Sequence, residues 1–447
     1  MPDIDFSKLK TVHFIGVGGI GTSAIARMFV LEGKKVSGSD MAKSEVTEGL
    51  KEAGATIYIG EDANNIPADC DLVIYTISIP KEHVELVKAQ KRGIPVLTYP
   101  EALGIISKDK YTIAITGTHG KTTTTAMVAK ILMDAGLDPT VIIGSFLWDD
   151  GKPKASEADA RPRRTNFVAG KSKYLVVEGC EYCRSFLNLS PSILVITNID
   201  ADHLDYYKDM EDIISAFVEM SQKLPKDGFL IMDSHAPNLQ AVVKRSHSQN
   251  ADFEVLKLPQ GFKLHIPGAH NLLNAKAALG VAKVLGIPDV QALLSLSEFR
   301  GTWRRFEYRG KAKNGALVYD DYGHHPTEIE ATLQGTRELF PTQKIVVVFQ
   351  PHLYSRTKHH LQGFGAAFKE ASSVILLPIY PAREQDPGDI NSQMVADELK
   401  RNGKDAHLTQ TFDEAAALAQ TLCGAGDLIL TLGAGETNKV ADILVNS

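Results

Sequence analysis

The sequence predicts an α/β protein of three domains, and three observations carry that reading. Strand-like and helix-like patterns alternate through the first hundred residues. Near residue 110 a new apolar strand runs into ITGTHGKTTTT, residues 115–125, where glycines, a histidine and a lysine precede four threonines. After residue 302 the alternation resumes. At 447 residues the chain is too long for one ordinary domain, so several compact units are expected.

Taken in order, TVHFIGVGG is a β-branched run closing in glycines, and TSAIARMFVLEG has apolar residues at helical spacing with a glycine after its last turn. KKVSGSD reads as a second strand, EVTEGLKEAG as a helix, and ATIYIG and DLVIYTISIP as strands. Repeated β-α order of this kind implies a parallel sheet. The second unit begins at KDKYTIAITG; within it KYLVVE and SILVITNI are buried-strand runs and MEDIISAFVEMSQKL is an amphipathic helix. DDGKPKASEADARPRR, residues 149–164, is polar and aperiodic, so an exposed loop is expected there. The third unit opens near GTWRRFEYRG, and ALVYDDY, KIVVVFQ, SVILLPI and DLILTLG alternate with helices such as PTEIEATLQGTREL. No internal repeat or low-complexity stretch interrupts this order.

Composition excludes several function classes. Lys plus Arg 48 against Asp plus Glu 54 leaves a net charge of -6, which offers no basic footprint for nucleic acid or an anionic membrane. No apolar run reaches membrane-spanning length and MPDIDFSKLK is polar, so a cytoplasmic protein acting on small molecules is expected. Four cysteines are too few for a disulfide framework.

The chemistry starts at residues 117–123. A strand ending in a glycine-bearing turn before a helix aims backbone N–H groups and the positive end of the helix dipole at one point, which favours an anion. Gly117, Thr118, His119, Gly120, Lys121, Thr122 and Thr123 supply that turn. Lys121 brings a positive charge where β- and γ-phosphates would lie, and Thr122 a hydroxyl suited to Mg²⁺. At the front, Gly16-Val17-Gly18-Gly19-Ile20-Gly21 matches G-x-G-x-x-G, and Asp40 ends the next strand as a ribose-binding acid would. A nicotinamide dehydrogenase is one reading of that motif. Two phosphate-binding turns in one chain point instead to two different phosphorylated ligands.

Other clusters stand at strand ends. Glu178 closes KYLVVE, where its carboxylate can reach an ion held by Thr122; Asp202 and His203 follow the next strand. Asn271 and Asn274, three apart in PGAHNLLNAKAALG, share a helix face and suit an adenine edge. In the third unit Asp321, His324, His325, His352 and Arg356 are placed to line a cleft, with the arginine able to hold a carboxylate.

HFIGVGGIGTSAIA, VSGSD, GTHGKTTTT, TNIDADHLDYY, AHNLLNA, WRRFE, DDYGHHPTEIEAT and FQPHLYSRT together resemble the Mur ligases, the ATP-dependent amide ligases of peptidoglycan precursor synthesis, over essentially the whole chain. The resemblance implies an N-terminal Rossmann-like domain for a UDP-sugar in residues 1–108. It implies a central P-loop ATPase-like α/β domain in 109–302 and a C-terminal Rossmann-like α/β domain for the amino acid in 303–447. It further implies ATP, UDP-N-acetylmuramate and L-alanine as ligands, with Mg²⁺, two ions being expected. Gly16, Gly18, Gly19, Gly21, Asp40 and Ser78 would face the UDP-sugar. Lys121 would contact the phosphates, Thr122 and Glu178 a first metal, and His203 a second. Asn271 and Asn274 would bind the nucleotide; Arg305 and Asp321 would bring the third domain onto ATP; Tyr322, His324 and Arg356 would receive the amino acid. A monomer or weak homodimer is expected.

The chain departs from the family pattern in two places. Its acidic E-A-D-E-S-D reads here as Glu178-Gly179-Cys180-Glu181-Tyr182-Cys183, and Leu353 stands where some relatives carry arginine. Within the family, a ligase that takes a preformed tripeptide is the alternative; outside it, a dehydrogenase or a regulatory P-loop ATPase.

Overall fold

Parallel strands covered by helices on both faces are buried throughout, so they appear as unbroken apolar runs rather than alternating ones. The computed structural model describes residues 4–148, 164–204, 206–382 and 384–446. Of the loop expected at 149–164, only Arg164 is among them, as the first residue of a strand.

The first sheet contains β1 (Thr11–Ile15), β2 (Lys35–Asp40), β3 (Thr56–Ile59), β4 (Leu72–Tyr75) and β5 (Val96–Thr98), all parallel, in the order β3-β2-β1-β4-β5. Every residue of β1 is buried. The second sheet contains β6 (Tyr111–Thr116), β7 (Thr140–Trp148), β8 (Arg164–Val168), β9 (Tyr174–Glu178), β10 (Ile193–Ile196), β11 (Phe229–Met232) and β12 (Gln249–Asp252). Their order is β12-β11-β10-β6-β9-β7-β8, parallel except for β8 against β7.

The third sheet contains β13 (Glu307–Lys311), β14 (Leu317–Asp321), β15 (Ile345–Phe349), β16 (Ser373–Leu376), β17 (Asp405–Leu408) and β18 (Leu428–Leu432). It runs β13-β14-β18-β15-β16-β17, with only β13 antiparallel. Period-two alternation divides β15 between two cores. Ile345, Val347 and Phe349 pack with Ile329, Phe364 and Phe368, while Val346 and Val348 pack with Ala415, Ala419 and Val440 on the other face.

Packing divides the chain into two compact units. The first takes residues 1–201, 209–258 and 275–296 and holds the first two sheets; the second takes 202–208, 259–274 and 297–447 and holds the third. The segments 202–208 and 259–274, inside the stretch expected as a central domain, thus pack with the third sheet's unit. Two helices not anticipated from the sequence, Val84–Lys91 and Tyr99–Lys108, cover the first sheet's chain. Pro100 obscures the second of these in the sequence, but it sits at the helix start, where the missing N–H costs nothing, and Thr98 and Glu101 form a capping box. Among the described residues, no helix is long and apolar enough to cross a membrane.

Candidate active site

In an open parallel sheet, ligands bind beyond the carboxyl ends of strands where the connection order reverses. The first sheet reverses between β1 and β4, and the front glycine motif and Ser78 follow those two strands. Gly16 has φ 72° and a Cβ there would stand 2.4 Å from Thr76 Cγ2, so only glycine fits. Gly16 and Val17 donate their N–H groups to the Ser39 carbonyl, at 2.9 and 3.0 Å. Gly18 N–H donates to Asp40 Oδ2 at 2.8 Å, so in this structure the expected ribose acid holds its own turn in shape. Gly19 caps the helix Ile20–Leu31 without a side-chain hydrogen bond, which leaves first-turn N–H groups for a ligand. Ser78 is exposed at the same edge.

The second sheet reverses at β6, and the Gly117–Thr123 turn leaves that strand for the helix Lys121–Asp134. Gly117 has φ 127° and a Cβ there would lie 2.1 Å from Thr197 Oγ1; Gly120 caps the helix in the left-handed region with no side-chain hydrogen bond. Residues after β10 clamp the turn. Asn198 accepts from His119 N–H at 2.9 Å and donates to the His119 carbonyl at 3.0 Å, while Thr197 Oγ1 donates to that carbonyl at 2.6 Å. Thr118 N–H donates to the Asn198 carbonyl at 3.1 Å, and His119 Nε2 meets Asp200 Oδ2 at 3.1 Å. Thr123 is buried in the first turn of the helix.

Lys121 Nζ donates to the carbonyls of Gly117 and Thr118, at 2.6 and 2.9 Å, and lies 3.0 Å from each oxygen of Glu181. Burial opposes its charge, but Glu181, with Cys180 and Glu178 behind it, outweighs burial and raises the ammonium above its ordinary value. Thr122 Oγ1 is 3.0 Å from both oxygens of Glu178, whose Oε2 also accepts from Gly144 N–H at 3.0 Å. A hydroxyl paired with a carboxylate is a hard-oxygen donor set that fits Mg²⁺. Cys180 and Cys183 are both exposed, and neither is in a disulfide. Crowding around its sulfur, then Glu181, pushes the Cys180 thiol up to about 12.

The remaining expected residues belong to the second unit. Asn271 and Asn274 are both buried on one face of the helix Ala269–Val284; Asn274 Nδ2 donates to Asn271 Oδ1 at 3.2 Å, and Asn271 Nδ2 to the Pro267 carbonyl at 2.6 Å. Asp321, at the end of β14, accepts from Phe306 and Gly323 N–H at 2.8 Å each; burial raises its carboxyl although Arg305 opposes the rise. The Arg305 guanidinium stands 4.9 Å from the Tyr322 ring centre. Its neighbour Arg304 is buried and structural: it pairs with Asp320 at 2.8 Å and donates to the Gly433 and Gly435 carbonyls.

Arg356 donates to Asp202 Oδ1 from Nη2 and Nε at 3.0 and 3.3 Å and meets His352 Nδ1 at 3.0 Å. Despite burial, His203 and Arg356 hold the Asp202 carboxyl far below the usual range. His203 takes φ 56°, and its carbonyl accepts from Tyr206 and Tyr207 N–H at 2.9 Å each. Burial lowers His324 to about 4, keeping it neutral near pH 7. His325 is the cap of the helix Pro326–Leu339, where Nδ1 accepts from Thr327 N–H at 3.3 Å and Glu328 completes a capping box.

Sequence reasoning missed Thr197, Asn198 and Asp200 as the clamp of the phosphate turn, although they lie in the same polar run after a buried strand that singled out Asp202 and His203. It also missed Glu181 as the partner of Lys121. Sequence spacing could not show that, because 60 positions separate the two.

Three family models match in succession: "Mur ligase family, catalytic domain" over residues 11–111, "Mur ligase middle domain" over 115–282, and "Mur ligase, glutamate ligase domain" over 304–435. The UDP-N-acetylmuramate–L-alanine ligase of Clostridium kluyveri is 40% identical, with 99% of each chain covered, and that of Caldicellulosiruptor saccharolyticus is 40% identical over 98% of this chain and 99% of its own. Among solved structures, the UDP-N-acetylmuramate-alanine ligase of Thermotoga maritima superposes with a TM-score of 0.80 at 29% identity, covering 98% of both chains. A murein peptide ligase of Psychrobacter arcticus shares the fold, with a TM-score of 0.73 at 22% identity and the same coverage.

Proposed function

The chain belongs to the Mur ligase family, and from that premise we propose that it joins L-alanine to the carboxylate of UDP-N-acetylmuramate, using ATP and forming ADP and phosphate, in peptidoglycan precursor synthesis. The observation that carries the reading is the Gly117–Thr122 turn, with its lysine and its hydroxyl–carboxylate pair, in a chain related over its full length to alanine-adding ligases. The family accounts for both glycine turns, so the dehydrogenase reading of the front motif gives way.

Chemically, two anions must meet: a carboxylate attacks the γ-phosphorus of ATP, ADP leaves, and an acyl phosphate forms. Lys121 and the uncapped N–H groups of its helix would hold the phosphate oxygens, and Lys121 would exchange its contacts with Glu181 and the turn carbonyls for them. Thr122 and Glu178 would hold Mg²⁺, and His203 would serve a second ion; Mg²⁺ supplies charge neutralisation at the transferring phosphoryl group. Asn271 and Asn274 would take the adenine edge, with Arg305 and Asp321 completing the nucleotide site. Gly16, Gly18, Gly19, Gly21, Asp40 and Ser78 would take the UDP-sugar. Tyr322, His324 and Arg356 would receive alanine, whose amine attacks the acyl carbon, loses a proton and expels phosphate. We assign these roles to domains at 1–108, 109–302 and 303–447, in a cytoplasmic monomer or weak homodimer.

The test is a mass-spectrometric assay with UDP-N-acetylmuramate, ATP, Mg²⁺ and a panel of amino acids and a tripeptide. The expected product is the L-alanyl sugar nucleotide. A product formed only with the tripeptide, or ATP hydrolysis as fast without the sugar nucleotide, overturns the reading.

A further inference from the structure

Tyr99 belongs to neither glycine turn, yet in the first unit it has Gly21 of the front turn and Glu178, the partner of Thr122, as neighbours. The Thr98–Glu101 capping box and Pro100 set the backbone at the start of the helix Tyr99–Lys108, and Tyr99 is its first residue. Its ring lies against Gly21, in the first turn of the helix that leaves the front glycine motif. A Cβ on Gly21 would stand 2.5 Å from Tyr99 Cζ and 2.8 Å from its hydroxyl oxygen. Glycine at position 21 is therefore required by this ring and not by its own backbone angles. Glu178 and Cys180 are also near: after burial of the ring, these two raise its phenol above the ordinary value. A tyrosine phenol is ordinarily protonated at neutral pH, so the hydroxyl is a donor.

A purely structural ring would need no hydroxyl, since phenylalanine fills the same space against Gly21. Among the described residues, none forms a hydrogen bond with the Tyr99 hydroxyl, and the side chain is only half-buried. A phenol held against Gly21 of the front turn, with no hydrogen-bond partner among the described residues, suits a ligand oxyanion.

Resting on the ligase reading above, we infer that the Tyr99 hydroxyl contacts the substrate, donating to an anionic oxygen of the sugar nucleotide between the Gly16–Gly21 turn and the Thr122–Glu178 pair. That oxygen belongs either to the diphosphate or to the carboxylate.

The test is Tyr99→Phe in the full chain, which keeps the ring against Gly21. Losing a hydrogen bond to a charged acceptor should raise the KM for UDP-N-acetylmuramate about tenfold or more, with KM for ATP and L-alanine within about twofold and an unchanged melting temperature. Calorimetric titration with UDP-N-acetylmuramate and with UDP separates the sources. Weaker binding of both ligands places the contact on the diphosphate, and weaker binding of the sugar nucleotide alone places it on the carboxylate. Equal binding by variant and wild type overturns the inference, as does a uniform rise in all three KM values with a lowered melting temperature. Should wild-type protein itself fail to bind UDP-N-acetylmuramate, the ligase reading falls and this inference with it.

Discussion

Lys121 shows how a single residue serves both the resting fold and the reaction. Its ammonium is held by two turn carbonyls and by Glu181, so the positive charge is in place before a ligand arrives. Lys121→Ala removes that charge from the phosphate site, and turnover of ATP should fall at least about 10³-fold, measured as phosphate release with all substrates present. Near-normal rates would exclude the assigned role. Arg356 makes a parallel case. Asp202 and His352 orient its guanidinium, and a substrate carboxylate must share or replace the Asp202 contact. For Arg356→Ala the KM for L-alanine should rise about tenfold or more while that for ATP stays within about twofold. Equal effects on both would remove Arg356 from alanine recognition. Charged residues in motif spacing were readable from sequence, whereas the pairing of Lys121 with Glu181 and of Arg356 with Asp202, each from another strand end, was not.

At the scale of the element, strand ends do the positioning. The turn after β6 is shaped by Thr197 and Asn198 after β10 and watched over by Glu178 at the end of β9, because those strands flank β6 in the sheet. Gly117→Ala tests this arrangement: the added methyl meets Thr197 Oγ1 in a backbone region that disfavours alanine. The variant should lose roughly 2 kcal/mol or more of stability in denaturant titration and bind ATP more weakly. Full stability would show that the turn relaxes without the clamp. Helix and strand periods located many elements, but β5, β7, β8, β11, β12, β13 and β17 escaped notice. β8 and β13 are the antiparallel strands of otherwise parallel sheets, and β-α alternation carries no signal for them.

For the molecule as a whole, acid should act through half-buried histidines of the second unit. His324 and His360 are both lowered to about 4 from 6.5, chiefly by burial, so between those values the unfolded chain binds more protons than the folded one. Stability should therefore be complete above pH 6.5 and fall as pH drops towards 4; Asp202, depressed from 3.8, adds its loss only below that value. Denaturant midpoints at pH 7, 5.5 and 4.5 should fall in that order, and His324→Gln should flatten the trend; a flat wild-type profile would refute it. The sequence by itself determined the fold class, both glycine turns and the ligase family, because those rest on local spacing and on apolar periods that only neighbouring residues need satisfy. Tertiary structure alone decided that Asp40 braces the front turn, that His325 caps a helix, that segments 202–208 and 259–274 pack with the third sheet, and that Tyr99 faces Gly21. Each of these depends on which strands lie side by side, and strand order is set by packing between residues far apart in the chain.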